Sequence, residues 1–154
     1  MKWRSVLAAT AVASLAFTLG TPSAFAAKSA TSGTTTCTVE ALAPVMKLTT
    51  KGKVLTGSAR VWCTAATTVT IRVYVGELDV AIEQVVIAEI SRSVAVSKTT
   101  LTSRPAYVVV TTSTVTCPNT EIGNEEFRTN AKLSFGTAST DYDRTIPLID
   151  QYAC

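Results

Sequence analysis

The sequence predicts an all-β protein, an antiparallel sandwich of about seven or eight strands stapled by two disulfides. Three observations predict it. From Cys37 onward Thr and Val dominate, and such β-branched residues keep their stiff χ1 at little cost in pleated sheet. Runs of about 7 to 12 residues alternate in polarity and are separated by Gly, Pro, Asn or Asp. Finally, the chain holds 4 Cys, an even number, in 154 residues, a length that suits one domain.

The N-terminus is read apart from that domain. Lys2 and Arg4 are followed by an apolar stretch from Val6 to Leu19, by Thr21-Pro22, and by Ala24-Phe25-Ala26. This is the order of a secretory signal peptide, and the apolar stretch falls short of the roughly 20 residues a spanning helix needs. Cleavage is expected after Ala26, so residues 1–26 are removed, the protein is secreted, and the mature form has no membrane span. The small polar residues 27–36 are expected to form a flexible N-terminal arm, and 37–154 a single domain. Loss of the leader takes the formal net charge from +3 to +1. Trp62, Phe127, Phe135 and four Tyr remain, too few aromatic side chains for an exposed platform that stacks polysaccharide or single-stranded nucleic acid.

The first element is a hairpin of Cys37–Val45 against Leu55–Cys63, turning at Thr49-Thr50-Lys51-Gly52. If Cys37 faces Cys63, opposed residue numbers sum to 100. Val39 then meets Val61, Ala41 meets Ala59, Ala43 meets Gly57 and Val45 meets Leu55, all apolar or small and all on one face. A slip of one residue would bury Glu40 and Arg60. The same register puts Lys47 opposite Lys53, a mild repulsion. Four cysteines allow three connectivities. The hairpin favours Cys37–Cys63, which leaves Cys117–Cys154. With no C-x-x-C motif, structural bridges outweigh a redox or metal role.

Next, Val69, Ile71, Val73 and Val75 alternate with Thr70, Arg72 and Tyr74, and Gly76 ends the run. Residues 77–90 fit both helical spacing and alternation; the strands around them favour strand. Val94-Ala95-Val96 marks a short strand. Ala106 to Cys117, apolar on both faces at its start and bounded by Pro105 and Pro118, reads as a central strand. Phe127, Thr129, Ala131, Leu133 and Phe135 share one face, with Arg128, Asn130, Lys132 and Ser134 on the other. Tyr142 to Tyr152 supplies the last strand, placed at an edge by Pro147.

The sequence contains no His, which excludes a Ser–His–Asp triad, a Cys–His pair and any His-containing zinc site. No catalytic residue and no cofactor is assigned. Glu121, Glu125 and Glu126, with Asp141 and Asp143, are the carboxylates that an acid–base enzyme would have to use. Asp141 and Asp143 are also a candidate pair of Ca²⁺ ligands, lacking the further four or more oxygens that the ion takes. Trp62, next to Cys63, either packs within the sandwich or stands exposed as a binding anchor. Leu101 and Arg104, in the loop from Thr99 to Pro105, are the residues an inhibitor would present to a protease.

Gly57-x-Ala59-x-Val61-x-Cys63, the Thr68–Val75 strand and Phe127-Arg128-Thr129-x-Ala131 give the chain a resemblance to the small secreted immunoglobulin-like sandwiches of Gram-positive bacteria. It departs from them in Trp62, which directly precedes Cys63 instead of lying between two bridged cysteines. The resulting expectation is a secreted, non-catalytic module that binds a protein or cell-envelope surface through its loops or an exposed sheet face. An inhibitor of an extracellular hydrolase is the alternative, and a carboxylate-based enzyme a third reading.

Overall fold

The computed structural model describes residues 27–78, 84–99, 106–117, 125–145 and 148–150. They contain strands and turns but no helix. The strands are β1 (Lys28–Ser32), β2 (Thr35–Thr49), β3 (Gly52–Cys63), β4 (Thr67–Leu78), β5 (Gln84–Val96), β6 (Val108–Thr111), β7 (Val115–Thr116), β8 (Glu125–Phe135), β9 (Ala138–Ser139), β10 (Asp143–Arg144) and β11 (Leu148–Asp150).

They form two antiparallel sheets. The first has the order β1-β2-β3-β6, with β7 also on β3. The second has the order β10-β8-β4-β5, with β9 and β11 also on β8. Two of the edges are single broken strands. Ser58 opposes Thr111 in β6 while Leu55 opposes Val115 in β7, a register change of one residue along β3. Where the ladder breaks, the Gly57 amide donates to Thr112 Oγ1 and the Thr112 amide donates to Gly57 O, so both backbone groups of Gly57 stay paired. In the same way β9, β10 and β11 follow one another along β8.

The sheets pack face to face because their alternating apolar residues point at each other. Val69, Ile71, Val73 and Val75 of β4, Phe127, Ala131 and Leu133 of β8, and Leu55, Ala59 and Val61 of β3 are all buried. Each fully buried Val, Leu, Ile or Phe contributes roughly 1.5–3 kcal/mol. The closest approach is at Gly57. A Cβ there would overlap Val75 Cγ2 and lie 3.2 Å from Thr129 Oγ1, so glycine alone lets β3 sit against the opposite sheet.

The expected first hairpin forms, with a correction. Cys37 faces Cys63 at a Cα–Cα distance of 4.1 Å and is bridged to it, and Val39–Val61 and Ala41–Ala59 follow. Glu40 and Arg60 pair on the outer face, as that register requires. Past Leu42 the register shifts, so Val45 meets Thr56 and Met46 meets Leu55. Pro44 is the physical reason: it has no N–H for the ladder, and a bulge accommodates it. Val45 becomes exposed, Lys47 opposes Val54, and the expected Lys47–Lys53 repulsion does not arise.

Other expectations are corrected by the fold. Residues 28–32 are not a flexible arm; they pair with β2 as an antiparallel edge strand, Ala30 opposite Cys37. The 106–117 run is not central. It lies at the edge, with β3 as its neighbour, and its apolar outer residues Tyr107 and Val109 are 51% and 43% exposed. Residues 77–78 and 84–90 are strand, and Val94–Val96 is the end of the long β5. One of the two expected bridges lies within the described residues. Cys117 is buried and is not a free thiol; Cys154 lies outside the described residues, as do residues 1–26. No helix among the described residues is long and apolar enough to cross a membrane.

Candidate functional site

Strict alternation on β4 and β8 points every second side chain away from the core. Pairing from Thr70–Ser134 to Glu77–Phe127 then sets those side chains in rows across the outer face of the second sheet. One row holds Ser93, Thr70, Ser134 and Ser139. The next holds Ser91, Arg72 and Lys132, and a third holds Glu89, Tyr74, Asn130 and Arg144. Arg128 lies opposite Gly76 beyond them.

The side chains in these rows touch one another. Tyr74 and Tyr142 meet edge to face, with ring centroids 5.3 Å apart. The Lys132 ammonium lies 4.9 Å from the Tyr142 ring centre, and the Arg72 guanidinium 5.9 Å from that of Tyr74. Arg72 also donates from Nε and Nη2 to the two carboxylate oxygens of Glu89, at 2.6 and 2.9 Å. That fork holds the guanidinium above its ordinary pKa and the Glu89 carboxylate below its own. Burial, with the neighbouring Tyr142, raises the Tyr74 phenol. Burial, then the nearby Arg144, lowers the Arg128 guanidinium.

Thr70, Arg72, Ser91, Lys132, Ser134 and Ser139 line a shallow depression of about 260 Å³ on this face. Beside it in register, Asn130 is fully buried, and neither of its amide atoms has a hydrogen-bond partner among the described residues. Arg72, Lys132 and Arg144 in these rows, with Arg128 beyond them, outnumber the Glu89 carboxylate by three. The face thus offers cations and hydroxyls to a ligand.

The residues singled out in the sequence are placed elsewhere. Trp62 is half-buried on the outer face of the first sheet, opposite Thr38, while Cys63 points inward. It shares that face with Arg60, which is doubly hydrogen-bonded to Glu40 and lies 5.6 Å from the Tyr107 ring centre. Asp141 is exposed, but Asp143 is buried, and its Oδ2 accepts the Ala41 amide at 2.6 Å. The two do not converge, and no group of three or more Cys, Asp or Glu side chains suited to a metal occurs among the described residues. Leu101, Arg104 and Glu121 lie outside the described residues. Arg72, Tyr74, Lys132 and Asn130 were legible as outward-facing positions, but nothing in the sequence paired β4 with β8 or brought Tyr142 and Arg144 beside them.

Comparison with known proteins returns no match: no family model, no curated protein and no solved structure is similar to this chain.

Proposed function

We propose that the protein is a secreted, non-catalytic immunoglobulin-like module that binds a protein or cell-envelope surface through the outer face of its second sheet. The observation that carries this reading is the gathering of four cations, two tyrosines and a hydroxyl-lined depression on one face of the second sheet. The strand order supports the immunoglobulin-like part. β4 and β5 form a hairpin in one sheet, the chain returns to pair β6 with β3 in the other, and β8 then pairs with β4. A second bridge, Cys117–Cys154, belongs to the same reading, since Cys37 and Cys63 are already joined.

Sedimentation with cell-envelope fragments tests it. The protein is expected in the pellet, and a Lys132→Glu/Tyr142→Ala variant in the supernatant. Equal partition of the two, or wild-type protein that never pellets, overturns the reading.

One observation favours the alternative, an inhibitor of an extracellular hydrolase. The ends of the loop carrying Leu101 and Arg104 are pinned. Thr99 Oγ1 donates to Ala106 O at 2.8 Å, and the Thr99 amide donates to the carbonyl of bridged Cys63 at 2.9 Å. Pinned ends lower the entropy lost when a loop is bound. Assays against serine proteases test this, and no inhibition at micromolar protein ends it.

A further inference from the structure

We infer that the outer face of the second sheet takes a phosphate-bearing polymer of hydroxylated units, a phosphodiester-linked polyol or glycan. The inference rests on the binding reading above and adds the chemical class of the ligand.

The sign of the ligand follows from charge. The depression is flanked by Arg72 and Lys132, and Arg144 and Arg128 extend the cations along β8 and β10. Arg72 is answered by Glu89; Lys132 and Arg144 form no ion pair with any described residue. Like-signed groups held this close repel one another, and an anion between them relieves that repulsion.

The kind of anion follows from the donors left open. A carboxylate is gripped best by a guanidinium fork, and the fork of Arg72 is filled by Glu89. What faces the depression besides is one ammonium, a point charge, with the hydroxyls of Ser91, Ser134 and Ser139 around it, while the Thr70 hydroxyl is shared with Ser93 at 3.2 Å. A phosphate group presents several acceptor oxygens in different directions, which suits one ammonium and scattered hydroxyl donors. The same hydroxyls can bond the free hydroxyls of a polyol or sugar.

A polymer fits better than a small ion. The depression is partly open, and the cations continue beyond it along β8 and β10. Residues two apart on a strand lie about 6.6–6.8 Å apart, so Lys132, the Asn130–Arg144 row and Arg128 present charge at regular steps. A nucleic acid is disfavoured because its bases need open ring faces, and Arg72 and Lys132 already lie over Tyr74 and Tyr142.

The test measures binding of the full chain to immobilised poly(glycerol phosphate), polygalacturonate, dextran and a mixed-sequence single-stranded oligonucleotide. Binding is expected to poly(glycerol phosphate), and to weaken as NaCl is raised. A Lys132→Gln/Arg144→Gln variant should bind at least roughly ten-fold more weakly, the size of one lost charge-assisted contact. A Lys47→Gln/Lys51→Gln variant, which removes equal charge from the tip of the β2–β3 hairpin, should bind like wild type. Four results overturn the inference: equal binding to dextran, equal or tighter binding to polygalacturonate or to the oligonucleotide, equal weakening by both double variants, or full binding by Lys132→Gln/Arg144→Gln. If envelope fragments retain the protein through this face but poly(glycerol phosphate) does not, the ligand class falls and the binding reading stands. If neither retains it, both fall.

Discussion

Asp143 shows how one side chain can join two sheets at a cost that depends on pH. It sits on β10 at the edge of the second sheet, and its Oδ2 accepts the Ala41 amide from β2 of the first. β1 pairs with β2 only from Val39 back toward Thr35, so the Ala41 amide lies beyond its reach. Burial raises the Asp143 pKa, outweighing the opposing effect of the Ala41 and Arg144 backbone hydrogen bonds. A carboxyl whose pKa is raised on folding binds its proton more tightly in the native state. Its contribution to stability is therefore lost as pH rises from the ordinary carboxylate range through the raised value. Asp143→Asn keeps an acceptor for Ala41 and removes the charge. The thermal midpoint of the wild type, measured against that of Asp143→Asn, should fall across this window and be level below it. Asp143→Ala removes the acceptor as well and should cost about 1–3 kcal/mol at every pH.

At the level of elements, the apolar pattern and the breaks in it were unequally legible. The β2–β3 register was readable because cysteine position, polarity and the Glu40–Arg60 pair agree on one alignment. The shift after Leu42 was not read, although Pro44 is its cause, because a bulge depends on where the missing N–H falls in the ladder. The 106–117 run looked central because Tyr107, Val108, Val109 and Val110 are apolar on both faces. Its place at the edge is decided by which strand returns to β3, a long-range choice that local pattern does not carry. The small residue at Gly57 is where such a choice becomes a steric demand. Gly57→Ala places a methyl group against Val75 and Thr129, both fully buried, and should destabilise the protein by about 1–3 kcal/mol in urea unfolding. A larger loss with an altered m-value would mean that the sheets separate instead of repacking.

Across the whole molecule, the interior divides into two clusters, each of which contains cysteine. The larger surrounds Cys37 and Cys63 with Val39, Val61, Ile71, Val73 and Leu133, among others. The smaller gathers Leu55, Val75 and Phe127 around Cys117. Gly57 and the β6–β7 break lie between them along β3, so few large side chains bind one cluster to the other. The first bridge closes a separation of 26 residues and should contribute about 3–4 kcal/mol, mainly by restricting the unfolded chain. It acts on the larger cluster, so a second bridge at Cys117 is what would hold the smaller one. Disulfide mapping by mass spectrometry is expected to give Cys37–Cys63 and Cys117–Cys154 peptides. The two bridges should then differ in effect. Cys37→Ser/Cys63→Ser should weaken the larger cluster, with faster amide exchange at Val39 and Val61. Cys117→Ser/Cys154→Ser should speed exchange at Leu55 and Phe127 and leave Val39 and Val61 protected. Equal acceleration everywhere in both variants would show instead that the two clusters unfold as one cooperative unit.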